Sequence, residues 1–251
     1  MKYYRIVLLF VTAAISFQPL YSQTTSKPVY VLVHGAFGGG WAFKNVDALL
    51  SETGSIVYRP TLTGQGERVH LATLDVGLDT HIKDIVNTIL YEDLHNVILV
   101  GHSYGGMVVT GVADRIPERI IKLIYIDAFV PEDGETVNSI RGETNLGLKA
   151  SNGYIIPHWV PEGKAPPKGV PHPIKTLTDT ISLKNPDRLK IATTYILTVE
   201  KGLDPKQDGF ASQAERANKK GWSMLQLEAD HNAERSAPEE FVKMLKEIEN
   251  K

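Results

Sequence analysis

One serine in this sequence lies between two glycines, directly after a run of apolar residues. Residues Gly101 to Gly105 match the pattern G-x-S-x-G, in which the serine occupies a strained strand-to-helix turn and presents its hydroxyl at the edge of a sheet. The apolar residues before it, Val97–Val100, are typical of a strand buried in a parallel sheet. We therefore predict that Ser103 is a nucleophile. The alternative is a glycine-rich turn with an unreactive serine, because the bare pattern arises by chance about 0.1 times in such a chain.

A serine hydroxyl is a weak nucleophile, so it needs a base within hydrogen-bond reach and a carboxylate that orients the base. Where the serine lies on such a turn, the partners follow in the chain order serine, acid, histidine. The sequence has eight histidines, and His231 alone lies just after the last predicted strand, where the base is required. We predict His231 as the general base. The alternative role is that of an ordinary surface-loop histidine.

The acid has several candidates at the ends of two later strands. Asp127 ends the strand after the serine turn, Glu200 ends the next strand, and Asp204 and Asp208 lie in the loop beyond it. The later loop is the more usual position, but a strand end holds a catalytic group more firmly than a loop does. The residues favour Asp127 and leave the other three open, and Asp127 could instead only cap a loop.

A tetrahedral oxyanion needs backbone N–H donors near the serine. In this arrangement they come from the residue after the nucleophile and from the loop after the first strand. The glycine-rich loop His34–Gly40 follows that strand, which predicts Tyr104 and Ala36 as the donors, or Phe37 if the loop is shifted by one residue. The alternative is a loop that is merely flexible.

Strands and helices alternate along most of the chain, beginning with the strand Val29–Val33. Such alternation predicts the α/β class, with a mostly parallel, doubly wound sheet of about six strands and helices on both faces. We also expect Asp79 or Thr80 to cap a helix that runs to about Tyr91.

The alternation stops between residues 131 and about 188, a stretch rich in proline and glycine. It is too long for a simple connection in a compact domain, so we predict an inserted lid. Ligand pockets are usually lined by apolar and aromatic side chains. We expect Phe37 and Phe129, with Tyr154 and Trp159 from the lid, to line a substrate pocket, although the lid residues could equally pack a core.

Composition excludes several functions. The formal net charge is −2, with no long charged run, so we expect neither nucleic acid nor an anionic membrane as a partner. The chain has no cysteine, which excludes disulfides, thiolate catalysis and cysteine-bound zinc. No metal or other cofactor is expected, and the expected partner is a small-molecule ester.

The first 22 residues resemble an export signal. Lys2 and Arg5 precede the apolar stretch Ile6–Phe17, and a small residue, Ser22, ends a plausible cleavage site. We expect cleavage there, a mature domain over 23–251 and an exported, periplasmic or secreted protein. The alternatives are an uncleaved anchor or a buried first strand.

Four motifs together resemble the bacterial esterases of the α/β-hydrolase fold that are related to plant methylesterases and hydroxynitrile lyases. These motifs are His34–Trp41, Thr61–Arg68, Gly101–Met107 and Tyr125–Gly134. The resemblance implies the roles given above for Ser103, His231, Ala36 and Tyr104. It also favours Asp127, because similar bacterial proteins carry the acid in this fourth motif. The lid shows little specific match, so the resemblance implies no particular substrate.

The sequence departs from the lyases at two positions. They are similar to this chain but have threonine at the position of Gly35 and lysine at that of Asn232. A cyanide leaving group needs a nearby positive charge, so the departures favour hydrolysis of a small or medium ester with an apolar or aromatic part. Two other hypotheses are a hydroxynitrile lyase and a non-catalytic protein that binds small ligands.

Overall fold

The computed structural model of the protein describes residues 27–141 and 149–250. The predicted signal peptide, residues 1–22, lies outside these ranges. In the described ranges, no helix is long and apolar enough to cross a membrane.

Strands and helices alternate through most of the chain, as the sequence predicts. The nine strands of the described ranges are Val29–Val33 (β1), Ile56–Tyr58 (β2), Val97–His102 (β3), Ile120–Ile126 (β4), Lys149–Ser151 (β5), Tyr154–Ile156 (β6), His172–Pro173 (β7), Ala192–Val199 (β8) and Ser223–Glu228 (β9). The α-helices described are Lys44–Glu52 (α1), Leu78–Tyr91 (α2), Gly105–Arg115 (α3), Val137–Arg141 (α4), Lys175–Thr178 (α5), Ala211–Lys219 (α6), Ala233–Ser236 (α7) and Pro238–Glu249 (α8). Short 3₁₀ helices cover Gly40–Phe43, Gly66–Leu71, Pro117–Arg119, Pro186–Lys190 and Pro205–Gln207.

The main sheet has six strands in the order β2-β1-β3-β4-β8-β9. Every neighbouring pair is parallel, which confirms the predicted α/β architecture. The chain leaves β1 towards β2 and then crosses back to β3 on the other side of β1. Ligands in open parallel sheets bind at the carboxyl ends of the strands near such a reversal, and the predicted serine turn follows β3.

Both faces of the sheet are buried. Alternate side chains of a strand point to opposite faces, and in β1 Val31 and Val33 belong to one apolar cluster while Tyr30 and Leu32 belong to the other. The first cluster includes buried residues of α2, α3 and α6, and the second includes those of α1 and α8. Since neither face meets water, the strands read as continuous apolar runs rather than as alternating ones.

The segment from residue 131 to 188, here called the connecting segment, joins β4 to β8 and contains β5, β6, β7, α4 and α5 in its described parts. It also caps α2, because the Leu78 backbone N–H donates to the Asp179 carboxylate at 3.1 Å. The expected cap at Asp79 or Thr80 is therefore wrong: the helix begins at Leu78, after Gly77, and neither residue occupies the cap position. Sequence pattern missed this cap because its donor and acceptor are 101 residues apart.

Gly106 lets α3 begin close to the loop that follows β4. A Cβ at this position would lie 2.2 Å from the Phe129 carbonyl oxygen and 2.9 Å from the Phe129 nitrogen. Both atoms belong to the backbone, so they cannot move aside as the end of a flexible side chain could.

We expect Gly106→Ala to destabilise the protein by about 2 kcal/mol or more, because overpacking outweighs the gain in helix propensity of about 1 kcal/mol. The urea midpoint measures the change. Gly209→Ala is the matched control, since nothing lies within 4 Å of a Cβ there. Equal midpoints for the two variants would contradict the close approach.

Candidate active site

Ser103 lies in a left-handed backbone conformation, with φ of +54°. This conformation is costly for a residue with a side chain, and neighbouring backbone groups maintain it. The Ser103 N–H donates to the Ile126 carbonyl at 3.3 Å, and the Ser103 carbonyl accepts from Phe129 N–H at 3.1 Å. The turn is thus attached to the end of β4, which also carries one of the candidate acids.

His231 joins the serine to Asp127. Its Nε2 lies 3.1 Å from Ser103 Oγ, and its Nδ1 lies 2.6 Å from Asp127 Oδ2. A carboxylate can only accept, so Nδ1 carries the proton that it donates to Asp127. Nε2 is then free to accept the serine proton, which is the protonation state that a general base requires.

The other three candidate acids do not contact His231 in the described part of the chain. Asp204 accepts from Lys206 N–H at 2.9 Å, and Asp208 accepts from Phe210 N–H at 2.8 Å. These two carboxylates cap local turns, while Glu200 is exposed to solvent. Of the four candidate acids, Asp127 is therefore the one that forms a hydrogen bond with His231 in the described residues.

Asp127 is buried and is held in place by residues of β8. Its side chain is 2% exposed, and its Oδ1 accepts from the backbone N–H of Thr198 in β8 at 3.2 Å. Directly after it, the Tyr195 hydroxyl donates to the Ala128 carbonyl and accepts from the Ala128 N–H, both at 3.1 Å. These bonds fix the orientation of the carboxylate that faces His231.

Two side chains that sequence reasoning did not assign to the site contact His231. The Phe210 ring stacks on the imidazole with ring centres 4.8 Å apart and planes at 12°. His102 Nε2 donates to the His231 carbonyl at 2.7 Å. His102 lies inside the serine motif, so its position was a usable signal, but no local pattern marks Phe210.

The loop after β1 passes close to the nucleophile. A Cβ on Gly35 would lie 2.9 Å from Ser103 Cβ, so a side chain there would require a shift. Within the described residues, the N–H groups of Ala36 and Tyr104 have no hydrogen-bond acceptor, whereas the N–H of Phe37 is directed at His172 Nδ1, 3.4 Å away. The two unpaired N–H groups are those predicted to bind the oxyanion.

Buried His34 fixes the start of this loop. Its Nδ1 donates to the Gly35 carbonyl at 2.7 Å, and its Nε2 accepts from Leu62 N–H at 3.1 Å. Burial lowers the pKa of His34 to about 4, because an apolar environment disfavours the charged form. The residue is therefore neutral near pH 7, and both ring nitrogens are occupied in holding two loops together.

Three of the four predicted pocket residues lie beside the site, and the fourth does not. Phe37 and Trp159 form an edge-to-face pair with centroids 5.0 Å apart, and Phe129 lies 5.2 Å from the Phe210 ring that stacks on His231. Tyr154 lies in β6, opposite Pro173, and has no ring contact with the other site residues in the described ranges. The first three aromatic residues thus lie beside the site, while Tyr154 belongs to the small sheet.

A buried carboxyl group lies near His102, the residue that donates to the His231 carbonyl. Glu234 is 1% exposed, and its Oε2 lies 4.0 Å from His102 Nε2 but has no hydrogen-bond partner among the described residues. Burial raises the pKa of Glu234 to about 7, since an ionised carboxylate is poorly solvated there. Burial likewise lowers the pKa of His102 to about 3, so His102 is neutral.

No group of three or more histidine, aspartate or glutamate side chains is arranged to hold a metal ion in residues 27–141 and 149–250. The contacts among Ser103, His231 and Asp127 are suited to proton transfer and to nucleophilic attack by a serine. Histidine, carboxylate, serine and two backbone donors are the groups that acyl transfer requires.

Comparison with known proteins gives one family and several relatives. The model of the alpha/beta hydrolase family matches residues 30–244. The chain is 53% identical over 111 residues to a carbendazim hydrolyzing esterase from Nocardioides sp. (strain SG-4G), which covers 44% of this chain and 46% of the relative. It is 31% identical over 107 residues to an alpha-hydroxynitrile lyase from Arabidopsis thaliana, which covers 42% of each.

Among solved structures, the methylesterase MES16 from Arabidopsis is similar, with a TM-score of 0.69 and 25% identity over 89% of this chain and 99% of that one. These matches confirm the resemblance inferred from the four motifs. The chain spans a little less than half the length of the two curated relatives named above.

Glu234 predicts a specific pH dependence of stability. The unfolded carboxyl ionises near its ordinary pKa of 4.5, whereas the folded one keeps its proton up to about pH 7. The unfolded state therefore binds fewer protons across this window, and the group contributes a stability that is lost as the pH rises.

We expect the stability of Glu234→Gln relative to the unaltered protein to increase by about 3 kcal/mol between pH 4.5 and 7, and then to level off. Urea midpoints at pH 5 and pH 8 measure the difference. The exposed Glu247→Gln serves as the control. Parallel pH profiles for Glu234→Gln and the unaltered protein would contradict the burial argument.

Proposed function

We propose that this protein, which belongs to the alpha/beta hydrolase family, hydrolyses carboxylic esters through an acyl-enzyme on Ser103. The observation that carries the proposal is the position of His231, whose two ring nitrogens lie 3.1 Å from Ser103 Oγ and 2.6 Å from Asp127 Oδ2. Relatives named as esterases support the same reaction class.

In the first half of the reaction, Ser103 Oγ attacks the ester carbonyl carbon while His231 Nε2 takes the hydroxyl proton. Asp127 stabilises the imidazolium that forms, without itself becoming protonated. The carbonyl oxygen becomes an oxyanion that accepts from Ala36 N–H and Tyr104 N–H. Each donor of this kind is typically worth about 10²–10³ in rate.

In the second half, the tetrahedral intermediate breaks its bond to the alcohol oxygen, which takes the proton from His231 and leaves. A water molecule then attacks the acyl carbon as His231 accepts one of its protons. Collapse of the second intermediate returns the proton to Ser103 Oγ and releases the acid. The two halves together consume one water and one ester.

The substrate class follows from the lining of the site. Phe37, Phe129 and Trp159 are aromatic, and Phe210 covers the base, so a small or medium ester with an apolar or aromatic part fits best. A solved relative is named as a methylesterase, and we include methyl esters in this class. We further propose that the connecting segment acts as a lid and that the protein is exported.

Hydroxynitrile cleavage is the competing reaction on the same groups. It is disfavoured because Asn232 provides no positive charge for the leaving cyanide. Threonine at the position of Gly35, as in similar lyases, would also place its Cβ 2.9 Å from Ser103 Cβ. The third hypothesis, a protein that binds a ligand without turnover, does not account for the aligned serine, imidazole and carboxylate.

We expect p-nitrophenyl acetate and butyrate to be turned over and a phosphonate probe to label Ser103, because the imidazole activates this hydroxyl. Ser103→Ala should lower kcat by about 10⁴ or more and abolish labelling. Mass spectrometry of the labelled peptide identifies the site. Absence of both turnover and labelling in the unaltered protein would sink the enzyme hypothesis, and strong cyanide release from mandelonitrile would favour the lyase.

Replacement of the acid provides a separate test. Asp127→Asn keeps the shape but removes the charge that orients the His231 tautomer, so kcat should fall by about 10⁴. Asp204→Asn is the matched control, since that carboxylate only caps a local turn, and its kcat should stay within about twofold of the unaltered value. The reverse pattern would assign the acid to the later loop.

A further inference from the structure

His172 is a fully buried histidine of the connecting segment, with an exposure of 0%. It lies outside the set of side chains that the proposed reaction uses. It forms β7, a two-residue strand that pairs with Tyr154 and Ile155 of β6. Burial holds the pKa of His172 well below its usual range, so the ring is neutral and acts through its hydrogen bonds and its shape.

Hydrogen bonds orient this ring. Gln65 Nε2 donates to the carbonyls of Gly64 and Pro171, at 2.9 and 3.2 Å, which directs Gln65 Oε1 to His172 Nδ1 at 3.0 Å. On the other side of the ring, His172 Nε2 forms a hydrogen bond with the Thr176 hydroxyl at 2.8 Å, and that hydroxyl donates to the Pro173 carbonyl at 2.7 Å.

The same ring contacts residues in both halves of the proposed oxyanion hole. Its centre lies 5.3 Å from the ring of Phe37, which follows the donor Ala36 in the chain. It lies 5.0 Å from the ring of Tyr104, whose own N–H is the second donor. The His172 ring therefore packs between the two loops that carry the proposed donors.

Further hydrogen bonds hold Phe37 on one side of the His172 ring and Tyr104 on the other. Two residues before His172 in the chain, the Val170 N–H donates to the Phe37 carbonyl at 2.9 Å. Phe37 has a left-handed backbone with φ of +65°, which is costly and needs such support. On the other side, the Tyr104 hydroxyl donates to His81 Nδ1 at 3.0 Å, because His81 Nε2–H is committed to the Thr63 carbonyl at 2.9 Å.

We propose that His172 is a positioning residue that aligns the two oxyanion donors, so that the hole is complete only when residues 170–176 of the connecting segment pack against the two loops that carry these donors. The inference rests on the proposed ester hydrolysis. His172 does not touch the reacting atoms in this scheme; it sets the backbone of Phe37 and Tyr104, and through them the N–H groups of Ala36 and Tyr104.

The kinetic signature of this role follows from when the donors act. The oxyanion exists in the transition state and not in the bound ester, so misaligned donors weaken only the transition state. Loss of His172 should therefore lower kcat and kcat/KM by the same factor, with little change in KM. A general loss of folding would instead lower the fraction of active protein.

The test compares His172→Phe with the unaltered protein, using p-nitrophenyl butyrate and active-site titration with the phosphonate. Phenylalanine keeps a ring between Phe37 and Tyr104 but removes both hydrogen bonds. We expect kcat per titrated site to fall about 10–100-fold, because small misplacements of catalytic groups have effects of this size, with KM within about threefold.

Inhibitor binding gives a second readout. Binding of a butyl trifluoromethyl ketone, which forms a tetrahedral oxyanion on the serine, should weaken by the same factor as kcat, while inhibition by butyrate should not change.

Two further variants make the outcome decisive. His158→Phe changes an exposed histidine of the same segment and should leave kcat unchanged. Thr176→Val keeps the side-chain shape and removes the hydroxyl that contacts both His172 Nε2 and the Pro173 carbonyl. A smaller loss of kcat in the same direction carries the test if His172→Phe does not fold. A kcat within about threefold of the unaltered value, or a loss confined to KM, would overturn the inference and leave ester hydrolysis intact. An unaltered protein that fails to acylate would overturn the proposed function, and the inference with it.

Discussion

The left-handed backbone of Ser103 is the constraint on which the site depends. With φ of +54°, the residue turns the chain from β3 into α3 within one step and leaves the hydroxyl exposed at the carboxyl edge of the sheet. The turn is stable only because its neighbours come very close: Gly106 lies against the backbone of Phe129, and Ser103 shares hydrogen bonds with the end of β4. The contacts that stabilise this costly backbone conformation thus also keep Ser103 next to the end of β4, where Asp127 lies.

Asp127, the proposed acid, lies at the end of β4 and close to the serine. Asp127 lies on the strand next to the serine strand in the sheet, and the adjacent strand β8 supplies the Thr198 N–H that holds its second oxygen. A carboxylate held by β8 through the Thr198 N–H loses little orientation when the imidazole becomes charged, which favours electrostatic stabilisation without reorganisation. In the later loop, the carboxylates of Asp204 and Asp208 accept hydrogen bonds within local turns instead.

Buried neutral polar groups surround the serine. His34, His81, His102 and His172 are almost fully buried, and burial lowers the pKa of each. Each imidazole therefore serves as a rigid donor and acceptor between loops rather than as a charge. Such networks specify one arrangement of loops strongly when every member is satisfied, and here they connect the serine turn, the loop after β1 and the connecting segment. Glu234 Oε2 and Thr198 Oγ1 are exceptions near the site, because neither buried oxygen has a hydrogen-bond partner in the described residues.

The sequence alone located three features of the candidate site. Local patterns mark the serine between its glycines, the histidine after the last strand and the glycine-rich loop after the first strand. Local pattern also predicts the parallel sheet, because strands buried on both faces are continuously apolar. Only the tertiary structure shows which of the four candidate acids contacts His231, since the hydrogen bond to Asp127 joins residues 104 positions apart. The same holds for Phe210 on His231 and for the Asp179 cap of α2. These contacts depend on how separate loops meet at the sheet edge, and no periodicity along the chain encodes that distance.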